Sequence, residues 1–197
     1  ASCHHVPTDA SKACDIILAN HVHRTDVIRV NDHYYLTAGG MGFPCDIARM
    51  ANEIKSRGKT GKLISRILGS HLYVMALLIV LARRKAQPGL FKIRGKHGSF
   101  LIDPLWMMVN NQPFLGKNFL ISPGAVPNDG VFDFCLVENS KSRWKILSVV
   151  LKVLSGTHAE LPGVTLGCDE ELFIETERPV SFFGDGQIFE PATKFRI

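Results

Sequence analysis

Two Asp-Gly dipeptides set the strongest constraint on how this chain folds. The first lies in Asn128-Asp129-Gly130-Val131-Phe132-Asp133-Phe134 and the second in Gly184-Asp185-Gly186-Gln187. Asp-Gly is typical of tight turns, because Gly readily takes the positive φ that such turns need. The apolar residues around each dipeptide indicate a neighbouring strand. The sequence therefore predicts two carboxylates on turns that flank strands, which suits a divalent cation and a phosphate-handling site.

The composition predicts one folded domain without a membrane span. Of the 197 residues, 46% are hydrophobic and 21% are charged, which provides for one sizeable core. The longest apolar run, residues 72–82, is about half the ~20 residues that a bilayer-spanning helix needs. Five scattered cysteines without a Cys-x-x-Cys pair indicate neither a disulfide framework nor a zinc site. We expect a cytoplasmic protein.

The formal net charge is +5, and part of the basic charge is clustered in sequence. The cluster comprises Arg83, Arg84, Lys85, Lys92, Arg94 and Lys96. Such a cluster can contact phosphates or anionic lipid headgroups, which would place the protein peripherally at a membrane. A solvated helix end followed by a hairpin explains the same residues equally well.

Periodicity and turn signals predict an α+β fold. Helices are expected over residues 10–20, 46–56, 63–81 and 142–154, and strands over 26–30, 34–38, 91–94, 99–103, 105–110, 118–122, 131–137, 164–167, 172–177, 180–183 and 194–197. We interpret Gly39-Gly40-Met41-Gly42 as a strand-to-helix turn, because it matches no phosphate-loop spacing. Helices followed by many short strands predict an antiparallel β-sandwich with several helices packed at one side.

Three further features concern the core and the loops around it. The segment 72–81 is apolar on all sides of a helix, so it is either buried or lines a slot for acyl chains. The helix 142–154 is predicted to have an apolar side that consists of Trp144, Ile146, Leu147, Val150, Leu151 and Leu154. His158 follows this helix in a loop, where ordinary hydrogen bonds are the expected role.

The order and spacing of several motifs resemble one known family. The motifs are Val6-Pro7-Thr8-Asp9, Asp26-Val27-Ile28-Arg29-Val30-Asn31, Tyr34-Tyr35-Leu36, Gly40-Met41-Gly42-Phe43, Ile121-Ser122-Pro123-Gly124-Ala125, Asn128-Asp129-Gly130, Ser155-Gly156-Thr157-His158 and Asp185-Gly186-Gln187. In this order they resemble the second domain of the diacylglycerol kinase and sphingosine kinase superfamily of lipid kinases, the bacterial diacylglycerol-kinase-like members in particular.

The resemblance implies a domain organisation and a reaction. Residues 1–197 would form the C-terminal, lipid-accepting domain, and the N-terminal nucleotide-binding domain with its Gly-Gly-Asp-Gly-Thr loop would be absent from this chain. ATP would bind in the cleft between the two domains. The full-length enzyme would transfer the γ-phosphoryl group of ATP to a lipid hydroxyl, diacylglycerol-like or sphingoid, and this chain alone would be inactive.

The resemblance also implies a structural Mg²⁺ ion. Its ligands would be the side chain of Asp129 and the backbone carbonyls of Val126 and Val131. Hard oxygen donors of this kind, with waters completing the shell, suit Mg²⁺. An Asn-Asp-Gly turn without any metal is the alternative.

The catalytic turn of the family reads Asp-Gly-Glu, whereas this chain has Gln187 at the third position. An amide cannot accept a proton near neutral pH, so Asp185 is the remaining carboxylate for a base or metal-organising role. The amide favours one alternative, a catalytically impaired lipid-binding or regulatory member of the same fold. The resemblance implies another, a soluble NAD kinase of the same broad architecture, although the apolar segment 72–81 and the basic cluster favour a lipid over a dinucleotide.

Overall fold

The computed structural model describes residues 9–20, 22–69, 71–83, 89–96, 98–116 and 119–197. Val6, Pro7, Thr8, Arg84 and Lys85, which the sequence analysis singled out, lie outside these ranges. The helices are α1 (Ala10–Leu18), α2 (Phe43–Lys55), α3 (Gly58–Leu68), α4 (His71–Arg83) and α5 (Arg143–Ser155), with a short 3-10 turn at His158–Glu160.

The strands are β1 (Ile28–Val30), β2 (His33–Tyr35), β3 (Ala38–Gly42), β4 (Phe91–Gly95), β5 (Gly98–Ile102), β6 (Pro104–Asn110), β7 (Phe114–Leu115), β8 (Phe119–Leu120), β9 (Phe132–Glu138), β10 (Val164–Asp169), β11 (Phe173–Val180), β12 (Phe182–Gly184), β13 (Gln187–Ile188) and β14 (Ala192–Arg196). Within the described ranges they form a large sheet, β10-β9-β6-β3-β12-β13, and a small sheet, β14-β11-β4-β5. All strand pairs in these sheets are antiparallel.

The apolar residues form three layers. One core lies between the sheets, where Met107 and Phe182 of the large sheet face Phe91 and Ile174 of the small sheet. A second core covers the other face of the large sheet with α2, α4 and α5, and a third joins α2 to α4. Since β6 is buried on both faces, its sequence is an uninterrupted apolar run. The predicted sandwich with helices at one side is confirmed.

Strand β3 corrects the interpretation of the glycine-rich segment. Residues 39–42 form a strand between β6 and β12 instead of a strand-to-helix turn. The segment shows no alternation of polar and apolar side chains because glycines are required here: neighbouring strands fill the positions that their Cβ atoms would occupy. A Cβ atom at Gly39 would lie 2.6 Å from the carbonyl oxygen of Phe183, 2.7 Å from the Phe182 ring and 2.8 Å from the Tyr35 ring.

Gly39→Ala is therefore expected to destabilise the fold. The added methyl group overlaps a backbone oxygen and two packed rings, and overpacking of this kind costs about 1–3 kcal/mol. The measurement is the free energy of unfolding by urea. Gly124→Ala is the matched control, because a Cβ there meets no atom within 4 Å. Equal stability of the two variants would contradict the close packing of β3.

The helices differ from prediction in two places. The predicted helix 63–81 is two helices, α3 and α4, because the chain turns at Gly69 with a φ of 49°. The second difference concerns the apolar side of α5: Ile146 is buried as predicted, but Trp144, Leu151 and Leu154 are exposed. Val149 and Val153 complete the buried stripe instead. A helix on a flat sheet buries only one stripe, so a broadly apolar helix leaves the rest in solvent.

Candidate functional site

Both Asp-Gly turns lie at the same end of the large sheet. Asp133 of β9 pairs with Asn110 of β6, which pairs with Ala38 of β3. One residue further along β3, Gly39 pairs with Gly184 of β12. Since two strands separate β9 from β12, the turns stand about 14 Å apart at the usual strand spacing. They occupy separate positions along one rim.

The turn at Asp185 connects β12 to β13. Asp185 and Gly186 both have positive φ, 49° and 85°, as a two-residue type I′ hairpin requires. The Asp185 carboxylate accepts hydrogen bonds from the backbone N–H of Leu36 (2.8 Å), the backbone N–H of Thr37 (3.0 Å) and the Thr37 hydroxyl. The carboxylate thereby fixes the loop that leads into β3.

These bonds also set the acidity of Asp185. Partial burial raises the pKa of the carboxyl, but the hydrogen bonds from Thr37 and from the backbone of residues 36–38 outweigh it and hold the pKa below its ordinary value. The group is ionised near neutral pH and fully engaged with donors. Its assignment as a base stays a prediction, and this geometry favours a positioning role.

Gln187 stands at the first position of β13, directly after the turn. It pairs with Gly184 across the hairpin, and its side chain is exposed at the rim. The turn therefore presents an amide to solvent where the family pattern has a carboxylate.

The Asp129 turn is held from two sides. The Asp129 carboxylate accepts from the backbone N–H of Val131 at 3.2 Å, and the Asp26 carboxylate accepts from the N–H of Gly130 at 2.8 Å. The N–H of Asp26 in turn donates to the carbonyl of Pro127 at 2.8 Å. Asp129 is exposed. Its carboxylate is thus available to an ion on the solvent side.

Asp133 lies next to this turn and has an altered acidity. Burial, with a further contribution from the negative charge of Asp129, raises the pKa of Asp133 to about 6. A divalent cation bound beside Asp129 and Asp133 would reduce the repulsion between their negative charges.

The raised pKa predicts a pH dependence of stability. The pKa of Asp133 is higher in the fold than its ordinary 3.8, so between about pH 4 and 6 the folded chain binds the extra proton. We expect the free energy of unfolding to fall as pH rises through this window, when measured by urea titration in EDTA. Asp133→Asn removes this contribution. A wild-type profile that the substitution leaves unchanged would contradict the assignment.

Asn111 connects the two turns and was missed in the sequence. It is 1% exposed, and its side-chain amide donates to the carbonyl of Asp26 (2.6 Å) and to the carbonyl of Leu36 (3.2 Å). Its backbone N–H donates to the carbonyl of Thr37 at 2.9 Å. Because Asp26 binds one turn and residues 36–37 bind Asp185, hydrogen bonds run from one acidic turn to the other. The available signal was an Asn pair directly after a buried apolar strand.

A second buried polar group lies behind the rim. Asn110 donates to the Ser122 hydroxyl at 2.8 Å, and His158 Nε2 donates to the carbonyl of Ile121 at 2.9 Å. His158 is fully buried, with its pKa lowered by desolvation. These bonds fix the segment 121–125 against β6. The ordinary hydrogen-bonding role expected for His158 agrees with this contact.

The residues proposed for Mg²⁺ offer suitable donors. Asp129 and Val126 are exposed and Val131 is half-buried, all within one loop. Oxygen donors alone, one of them a carboxylate, suit a hard cation. The described residues contain no group of three or more His, Cys, Asp or Glu arranged to hold a metal. The proposed site differs from such a group, since it uses one carboxylate and two carbonyls.

The basic cluster is divided in the fold. Arg83 ends α4, whereas Lys92 and Arg94 belong to β4 of the small sheet. Arg94 pairs with Glu175 at 2.9 Å and Lys96 with Glu170 at 3.8 Å, so acidic neighbours offset two of these charges. Among the described helices, none combines the length and the hydropathy needed to cross a membrane.

The fold and the turns define a β-sandwich domain with a helical layer, and comparison with known families identifies it. Residues 47–194 match the family described as the YegS C-terminal NAD kinase beta sandwich-like domain. The chain belongs to this family. This confirms the resemblance to the C-terminal domain of a lipid kinase.

Individual proteins with similar sequences or structures can also be named. The chain is 28% identical over 112 residues to the "Probable lipid kinase YegS-like" protein of Alcanivorax borkumensis, covering 57% of this chain and 34% of that protein. A crystal structure of a "putative diacylglycerol kinase" from Bacillus anthracis superposes with a TM-score of 0.71 at 21% identity, over 97% of this chain and 58% of that one. A second B. anthracis structure gives 0.68 at 18% identity, over 97% and 59%. The chain thus spans between a third and three fifths of the length of these relatives.

Proposed function

We propose that this chain is the lipid-accepting domain of an ATP-dependent lipid kinase, which transfers the γ-phosphoryl group of ATP to the hydroxyl of a diacylglycerol-like or sphingoid lipid. The observation that carries the proposal is the position of both acidic turns at one end of the large sheet, where hydrogen bonds through Asn111 connect them. A nucleotide-binding domain preceding residue 1 would complete the ATP site.

The roles of the turn residues follow from their contacts. Phosphoryl transfer depends mainly on positioning and on neutralising charge, because its transition state is loose. Asp185 holds residues 36–38 and thereby sets the position of the hairpin tip. The side-chain carbonyl of Gln187 can accept a hydrogen bond from the lipid hydroxyl and orient it. An amide does not take up the proton, so we expect slow turnover.

The Mg²⁺ proposal concerns the other turn. Asp129 and the carbonyls of Val126 and Val131 would hold the ion, which would supply positive charge at the rim and rigidify the loop before β9. Together with the Asp26 contact to Gly130, this would keep the two turns in register through Asn111.

The helical layer offers apolar surface for the lipid. Leu63 and Ile67 of α3, and Val74 and Leu78 of α4, are exposed although apolar. Leu72 and Ala76 on the other side of α4 are buried against α2. The segment 72–81 is therefore half-exposed, which favours a lipid-facing role. A cytoplasmic protein that visits the membrane surface fits this proposal.

A phosphorylation assay tests the function. The two-domain protein, this chain joined to its nucleotide-binding domain, is incubated with labelled ATP and Mg²⁺ over a panel of diacylglycerols, sphingoid bases and NAD. Labelled lipid supports the proposal. Labelled NAD, or no labelled product from any member of the panel, would refute it.

A second candidate is a non-catalytic lipid-binding or regulatory member of the fold. The amide at Gln187 is the observation that favours it. This alternative would be selected if the protein bound the same lipids without phosphorylating them and if Gln187→Glu produced no increase in kinase activity.

A further inference from the structure

Helix α5 carries an exposed apolar stripe. Ile146, Val149 and Val153 face the large sheet and are buried. Trp144 is 80% exposed, Leu151 56% and Leu154 46%, and Leu147 packs only partly against the core. Positions 144, 147, 151 and 154 share one face of a helix, the face turned away from the sheet. An apolar stripe of this length in solvent indicates a contact surface.

The charges on α5 itself have one sign. Lys141, Arg143, Lys145 and Lys152 lie on or beside α5, and the sequence has no Asp or Glu between residues 139 and 159. In the described part of the chain, the ion pairs within 4 Å involve other residues. These cations therefore remain available to an anionic partner. Lys145 and Lys152 are two turns apart and border the stripe on one side.

The stripe is placed in the same layer as the lipid-facing helices. α5, α2 and α4 cover the same face of the large sheet. The C-terminal end of α5 lies beside Leu120, next to the segment 121–125 that Asn110 and His158 fix behind the rim. The C-terminal end of α5 therefore lies beside the segment that leads along the chain into the Asp129 turn.

We propose that the outer face of α5 is a docking surface for an anionic lipid bilayer. The helix has the features of an interfacial helix: a Trp and aliphatic stripe, flanking lysines, and an opposite face already covered by protein. Each Lys or Arg near an anionic membrane strengthens binding about fivefold. The purpose of this docking, to bring the rim to its lipid substrate, rests on the proposed function. The docking itself is a matter of membrane binding and does not require catalysis.

The experiment uses the two tryptophans as internal reporters. Trp106 is 3% exposed in the core, whereas Trp144 is in solvent, so a membrane contact shifts the emission of Trp144 alone. The chain is titrated with phosphatidylcholine/phosphatidylserine vesicles and with pure phosphatidylcholine vesicles, without ATP or diacylglycerol. We expect a blue shift and cosedimentation with the anionic vesicles only. Trp144→Phe should abolish the shift while retaining most of the binding.

Charge reversal provides the decisive comparison. Lys145→Glu/Lys152→Glu should weaken vesicle binding by at least about thirtyfold. The matched control, Arg178→Glu/Lys194→Glu, makes the same charge change on exposed positions of the small sheet and should bind at least tenfold more tightly than the α5 variant. The proposal would be overturned if both variants lost the same vesicle affinity, or if the wild-type chain did not bind the anionic vesicles. Self-association of the chain through α5 instead of vesicle binding would also overturn it. Because no phosphorylation is measured, an inactive kinase that binds vesicles still supports it.

Discussion

Gln187→Glu is expected to raise the turnover of the two-domain protein by about 10²–10⁴-fold. Gln187 follows the Asp185 turn and is exposed at the rim, so a Glu side chain fits without repacking. The carboxylate can accept the proton of the lipid hydroxyl, and a positioned general base contributes about this factor. The measurement is kcat for lipid phosphorylation at saturating ATP and lipid.

A matched substitution separates base chemistry from added charge. Gln112→Glu introduces the same group beside Asn111, at the same end of the sheet but off the hairpin. We expect its kcat to stay within a few-fold of wild type. If both variants remain at the wild-type rate, the amide at position 187 is not what limits turnover, and the regulatory alternative gains support.

Asn111→Leu is expected to lower both stability and activity. It removes two hydrogen bonds from a buried amide and leaves the carbonyls of Asp26 and Leu36 without this donor. We expect a loss of about 2–4 kcal/mol in the free energy of unfolding. For a chain of this size the corresponding fall in Tm is roughly 5–15 °C. Differential scanning calorimetry measures it.

The control for this variant is Asn52→Leu, the same change at an exposed position of α2, which should alter Tm by about 2 °C or less. The kinase assay at a temperature where Asn111→Leu is folded then tests its function. We expect a fall in kcat, because the Asp185 hairpin is no longer tied to the Asp129 turn. Lower stability with an unchanged kcat would limit Asn111 to a structural role.

Much of the fold was predictable because its signals are local. The apolar run 105–110 predicted a strand, which β6 confirms. Asp185-Gly186 indicated a tight turn, which the structure shows as the connection between β12 and β13. Ser142 stands at the N-cap of α5, where its hydroxyl accepts a hydrogen bond from the backbone N–H of Lys145. In each case a few neighbouring residues determine the local structure.

The missed features depend on contacts between distant residues. The need for glycine at position 39 results from the Phe182 ring and the carbonyl oxygen of Phe183, which lie far from residue 39 in sequence. Asn111 acquires its role from carbonyls far away in sequence. The exposure of Trp144 follows from which side of α5 meets the sheet. The two carboxylates could be named from the sequence, but the amide that links them could not.

The proposed function places the working site at the rim that carries both acidic turns. The most direct measurement is lipid phosphorylation by the two-domain protein carrying Asp129→Asn or Asp185→Asn, with Asp15→Asn on exposed α1 as the control. We predict that kcat/KM falls by about 10²-fold or more for both rim variants, since small displacements at a reacting centre cost this much, and stays at the wild-type value for the control. Wild-type rates in both rim variants would contradict the claim.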